Sequence, residues 1–212
     1  ADNRLKTDSS KWFGYYVCAL LFGGAAGGLV FGRLGDRFGR VKGMTAAICC
    51  YSGMSLVAYF VQSPSQLLVV RFIVCMGVGG MWPNGVALMS EAWANVSRPL
   101  LAGVIGTAAN IGIFVVASIG KYAREVTVDD WRWVMLLGGA PIVLGLLIPF
   151  IVPESPRWLA QKDGSNSDSK ISRASEADIF KPGMLAVTLI GILLATVPLF
   201  GSWGSSNWAV KW

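Results

Sequence analysis

The chain has no histidine, and only 14% of its 212 residues are charged. A soluble domain normally carries about a quarter charged residues, so an ordinary soluble fold is excluded. The missing histidine removes the commonest metal ligand and the commonest general base. Charge is also absent locally. Residues 13–31, 43–61, 99–120, 133–152 and 183–203 contain no Asp, Glu, Lys or Arg, and residues 67–92 contain only Arg71 and Glu91, one near each end. The four cysteines (Cys18, Cys49, Cys50, Cys75) all fall inside these windows, where cysteine behaves as a small hydrophobe. No disulfide and no metal site is therefore expected. No window holds a pair of carboxylates, and no histidine is present to activate a nucleophile. The reading is no enzyme, no catalytic residues and no cofactor.

What remains is apolar length. Each window is about 20 residues, enough helix to cross a hydrocarbon core of roughly 30 Å. Six spans result. Barrel strands need only about 10 residues of alternating polarity, and no such alternation is seen, so each span reads as an α-helix whose backbone is satisfied within itself. The fold class is an all-α membrane protein, a polytopic helical bundle, with the lipid bilayer as its surroundings. The net charge of +6 resides in short loops between spans, where topology places it. Nucleic acid is not a partner.

The links "QSPSQ" (62–66), "WANVSR" (93–98) and "KYAREVTVDDWR" (121–132) are short, so consecutive helices are antiparallel neighbours. Residues 153–182 form a longer connection whose middle, rich in Ser, Asp and Lys, reads as a flexible linker. The organisation expected is a five-span bundle over 1–152, a linker over 153–182 and the start of a further bundle over 183–212. Ten Lys and Arg lie in the loops 32–42, 93–98 and 153–182, against seven in the loops of the other side. That bias puts the first set in the cytoplasm of a multi-pass protein of the plasma (inner) membrane. Most tryptophans fall at span ends as interfacial anchors, Trp158 among them, but Trp82 falls near mid-membrane. Asn95-Val96-Ser97 fits a glycosylation sequon, but its loop is assigned to the cytoplasm. The chain begins at Ala1, not Met, and ends at Trp212 directly after an apolar span, so it reads as a piece of a longer protein.

Two features stand out. In the first span Gly24, Gly28, Gly32 and Asp36 are spaced by four and form one stripe, with Gly23 and Gly27 beside it; small residues so spaced let membrane helices approach closely. The stripe runs into "GRLGDRFGRVK" (32–42). This stretch resembles the signature loop of major facilitator superfamily transporters, G-x-L-x-D-R-x-G-R-[RK], with Gly32, Leu34, Asp36, Arg37, Gly39 and Arg40 in place. "RFIVCMGVGGMWPNGVALMSEAW" (71–93) is similar to that family's fourth helix, with Cys75 where a glycine is common. Arg98 stands where the fifth helix usually begins with an arginine, and "PESPRWLA" (153–160) is similar to the end of the sixth in the sugar-porter and organic-acid symporter branches. The resemblance implies part of a twelve-helix fold, covering its helices two to seven.

It also implies roles. Asp36 faces the N-terminal end of a helix in the opposite half, where the helix dipole favours a carboxylate. Gly32, Arg37, Gly39, Arg40, Glu91, Arg98, Glu154 and Arg157 share that face as a conformational latch; Arg33 and Lys42 read as plain topology signals. Polar groups deep in a span mark a transport path. Trp82, Asn84 (behind Pro83, which should bend its span) and Asn110 are candidates for lining one, although each Asn serves equally as interhelical glue. Arg71 either snorkels to the interface or attracts an anionic substrate. The function implied is secondary active transport by alternating access, a proton-coupled symport of a small organic acid of the sialate, lactate or aromatic-acid kind. A sugar porter or facilitator, or a non-transporting sensor on the same fold, is the alternative. A drug–proton antiporter is disfavoured, because Thr107 and Asn110 stand where its motif has proline and glycine. The partners are thus a small solute, anionic under the acid reading, and a proton.

Overall fold

A computed structural model describes residues 2–93, 95–122, 132–162, 185–194 and 196–197. The chain divides into two units, Ala1–Ser165 and Asn166–Trp212. In the first, α1 runs Asp2–Phe38, α2 Arg40–Ala58, α3 Pro64–Ala92, α4 Arg98–Tyr122, α5 Trp133–Gly139, α6 Ile142–Ile151 and α7 Pro156–Lys162. In the second, the apolar helix α8 covers Leu185–Leu194. Five stretches are long and apolar enough to cross a membrane: Lys11–Phe38, Arg40–Ala58, Pro64–Ala92, Pro99–Gly120 and Trp133–Ile151. They overlap the first five windows read from the sequence, but residues 32–38, expected in a loop, continue α1, and the second helix runs Arg40–Ala58 where the window is 43–61. Of the sixth, only the α8 residues and 196–197 are described.

The fifth span is not one helix. Pro141 has no N–H to donate to the preceding turn, and α5 stops at Gly139. Three-residue bonds tighten the break, with Ala140 N donating to Leu137 O at 3.2 Å and Val143 N to Ala140 O at 3.3 Å, before Gly145 N resumes helical bonding to Pro141 O at 2.9 Å. Both pieces lie on α2, with Gly139 against Leu56 and Gly145 against Ile48 and Cys49. Helix α3, by contrast, stays helical through Pro83. Within the expected linker, Pro156–Lys162 are helical, as α7; residues 163–182 lie outside the described part.

Helices α1, α2 and α3 form the packed heart of the unit. The row of α1 facing α3 is Gly23, Gly27, Phe31 and Gly35, one residue before the four-spaced stripe that ends in Asp36. A methyl on Gly27 would collide with the backbone of Met76, so only hydrogen fits there. In the neighbouring stripe nothing lies within 4 Å of a Cβ built at Gly24 or Gly32, although the Gly24 backbone lies where a methyl on Gly79 of α3 would sit. Helix α2 meets α3 through small residues in the same way, with Ala47 and Ser52 wholly buried. Such contacts hold membrane helices together by close van der Waals approach, since lipid supplies no hydrophobic drive between them. Away from the Gly39 turn, Ala58, Val61 and Val70 form an apolar cluster with Met54, Leu67, Val74 and Met135. Arg132 Nη2 donates to Val61 O there at 3.0 Å, tying the start of α5 to the end of α2. Helix α4 buries Leu101 but leaves Ile111, Ile113, Phe114 and Val116 exposed.

Candidate functional site

The stretch "GDRFGR" makes the shortest turn in the bundle. Gly39 alone separates α1 from α2, with φ 118° and ψ 146°, a backbone region that L side chains rarely adopt. Its N–H closes α1 by donating to Gly35 O at 3.0 Å, and its carbonyl opens α2 by accepting from Gly43 N at 2.9 Å. Gly39 has no side chain to cap the new helix. The cap comes from Glu154, 113 residues away, whose carboxylate accepts from Val41 N at 3.0 and 3.3 Å. The same carboxylate accepts from Ser155 N at 3.0 Å. A carboxylate at a helix N-terminus meets both the unpaired N–H groups and the positive end of the dipole. A Cβ on Gly39 would fall on that carboxylate, so the glycine is needed twice.

Arg40 carries the charge. Its Nη1 lies 2.5 Å from Asp36 Oδ1, one turn back, and its Nη2 3.3 Å from Glu91 Oε1 on α3. Arg40 is 20% exposed and Glu91 14%, whereas Asp36 is 61% exposed. The Arg40–Glu91 pair is thus partly withdrawn from solvent, and the Asp36 pair is a surface pair of modest strength. Glu91 also accepts from the hydroxyl of Ser155, which is fully buried. That hydroxyl accepts in turn from Trp158 N at 3.3 Å, capping α7. Trp158 Nε1 donates to Asp36 O at 3.0 Å, satisfying a carbonyl at the end of α1. Residues 154–158 therefore clasp three helix ends: the end of α1, the start of α2 and the end of α3.

The candidates divide accordingly. Asp36, Gly39, Arg40, Glu91 and Glu154 are brought together. Gly32 lies at an open position of the neighbouring stripe. Arg37 rests over the Phe38 ring, 5.4 Å from its centroid, and Arg157 is exposed, outside the bonds described among these residues. Arg98 opens α4, but its side chain lies outside the described part. Of the pathway candidates, Arg71 and Trp82 are exposed, Trp82 by 48%. Asn110 is exposed on α4, its amide donating to Gly106 O on its own helix at 3.0 Å. Asn84 is 0% exposed. Its amide donates to Phe31 O at 2.8 Å and to Gly80 O at 3.0 Å, so in this arrangement it joins helices and offers no surface to a solute. A cavity of about 220 Å³ between α3 and α4 is lined by Val86, Ser90, Leu101, Ala102 and Ile105, none of them a pathway candidate. The motif does not single out Ser155, and the position of Trp158 alone describes an anchor. The signal was there: serine directly before proline is the pattern of an N-cap followed by the first helical residue.

The model of the family described as sugar (and other) transporter matches residues 1–180. The chain belongs to that family. It is therefore a major facilitator chain and a multi-pass integral membrane protein, of a family of transporters rather than enzymes. Among curated relatives, the arabinose-proton symporter of Bacillus subtilis (strain 168) is 30% identical over 86% of this chain and 46% of its own length. The 4-hydroxybenzoate transporter of Pseudomonas putida is 31% identical over 71% of this chain and 33% of its own length. The gallate transporter of Pseudomonas putida is 30% identical over 81% and 38%. This major facilitator chain spans less than half the length of these relatives.

Proposed function

We propose that the protein built around this chain is a secondary active transporter that carries a small organic acid together with a proton, by alternating access. One observation carries the reading: in a chain of a transporter family, one end of the bundle is tied by a charged clasp of Arg40, Glu91 and Glu154, with Asp36 left facing outward. Charge at an exposed helix junction is what a second half of the molecule needs in order to close against it and release again. Two relatives are named for aromatic carboxylates and one for a proton-coupled solute. Arg71 would attract the anion, and Trp82 and Asn110 would line its path.

A sugar substrate is the second reading, supported by the arabinose-proton symporter, which aligns over 86% of this chain. Uptake of radiolabelled 4-hydroxybenzoate and of arabinose by cells expressing the full-length protein separates the two. Uptake of the acid that a protonophore abolishes supports the proposal, and alanine at Trp82 or Asn110 should then raise the apparent KM with membrane expression unchanged. Arabinose uptake without acid uptake moves the assignment to the sugar reading. Accumulation that survives the protonophore removes the proton from it.

A further inference from the structure

The geometry points to Asn84 as a positioning residue: it fixes the axial register of α3 against α1 and α2, so that Glu91 meets Arg40 at the Gly39 turn. The inference rests on the clasp of the proposed function but not on transport itself. Asn84, Leu88 and Glu91 follow a spacing of four and three, which puts them on one face of α3. Asn84 and Leu88 are both buried. Glu91 lies about 10 Å further along that face, at 1.5 Å per residue, and there meets Arg40 at 3.3 Å. The α3 face is thus attached to the turn at two points, one neutral and one charged.

The neutral point is unusually demanding. The Asn84 amide N–H groups reach across to Phe31 O on α1 at 2.8 Å and back to Gly80 O on α3 at 3.0 Å. The other end of the amide, Oδ1, is buried without a hydrogen-bond partner. It lies over bare backbone where α1 and α2 touch: a methyl on Gly35 would fall on Oδ1, and one on Gly43 would come within 3.1 Å of it. A buried acceptor left unpaired weakens a fold, so a side chain kept only for helix adhesion would be better placed with both ends bonded. What this position provides is register. Sliding α3 along α1 lengthens the Asn84 bond to Phe31 O and shifts Oδ1 over the Gly35–Gly43 contact, where the backbone leaves little room. Gly35 also carries the carbonyl that accepts from Gly39 N. Any displacement at Gly35 therefore passes directly to the turn that Glu154 and Arg40 occupy.

Hydrogen–deuterium exchange of the full-length protein tests this without reference to transport. In Asn84→Ala the amides of Val41 and Gly43, bonded to Glu154 and Gly39 O, should exchange about fivefold faster, the factor equivalent to the loss of one ordinary hydrogen bond of about 1 kcal/mol. The amides of residues 68–75, on the far half of α3, should hold their protection. Glu91→Gln should speed the same two amides. Asn84→Ala/Glu91→Gln should be no faster than the quicker single variant, because both act through one register. Asn84→Ser, which leaves no amide group buried and unbonded, provides the same readout should the alanine variant not reach the membrane. Unchanged exchange at Val41 and Gly43, an even loss of protection along α1 to α3, or single-variant factors that multiply in the double variant would each overturn the assignment.

Discussion

Gly39 and Gly32 belong to the same motif and are held by opposite circumstances. Gly39 has a φ of 118° and a carboxylate where its side chain would be. A side chain in that backbone region costs about 1–3 kcal/mol, and Glu154 must also give up Val41 N–H. Gly32 has nothing within 4 Å of a built Cβ, and alanine in a helix interior gains about 0.8–1 kcal/mol over glycine. Thermal unfolding in detergent should therefore show Gly39→Ala clearly destabilised and Gly32→Ala unchanged or slightly stabilised. Loss of stability in both would mean that Gly32 is packed against something this chain does not contain. Residues of one motif thus differ in ways the motif cannot express. Asn84 makes the same point: an asparagine in a span is either path or glue, and what decides is the face it occupies, which follows from the contacts of Phe31, Gly35 and Gly43 rather than from its neighbours in sequence.

At the scale of elements, each of the five span-length helices of the first unit overlaps a charge-free window, because a bilayer excludes charge so strongly that its absence is a length measurement. The interior of those spans was less legible. Rows 23–27–31–35 and 24–28–32–36 of α1 are both four-spaced and both rich in small residues, and only the position of α3 shows that the first meets it along its whole length and the second through Gly24 and Gly28 alone. The break at Ala140–Pro141 and the helix α7 are not legible in the sequence either, since apolar composition continues through the first and a polar linker follows the second. Helix α7 is the element whose role is most open to test. Its Trp158 has an indole N–H on Asp36 O and the Lys162 ammonium 5.3 Å over its ring. Trp158→Phe keeps an aromatic ring and removes the N–H. The loss of one hydrogen bond, about 1 kcal/mol, should accelerate proteolytic cleavage within 156–162 roughly fivefold while the Val41 amide, held by Glu154, keeps its protection. Equal cleavage of wild type and variant would reduce Trp158 to the interfacial anchor that its position alone describes.

On the scale of the whole molecule the clasp has one unused face. Arg40, Glu91, Glu154 and Ser155 turn inward and bind one another, but the Asp36 carboxylate is 61% exposed at the end of α1. Within this unit its contribution is an exposed pair with Arg40 one turn away, a class of interaction contributing about 0.3–0.5 kcal/mol. If the outward oxygen also meets the N-terminus of a helix in the opposite half, the closed arrangement gains a dipole contribution of about 0.3–1 kcal/mol, or up to about 2 where partly buried. Asp36→Asn preserves shape and removes the charge, so the two contributions separate cleanly. Thermal stability of the full-length protein should change little. The ratio of outward-open to inward-open protein should fall about fivefold for a loss of about 1 kcal/mol, seen as faster labelling of single cysteines placed in the cytoplasmic half of the cavity. Substrate affinity measured with the cavity held open should stay the same, because a site near the bilayer midplane lies about 15 Å away. A drop in stability with no change in labelling would make Asp36 a partner of Arg40 and nothing more. No change in either would leave the acidic residue of the motif as a marker of topology, and the latch would then have to reside in Arg40, Glu91 and Glu154.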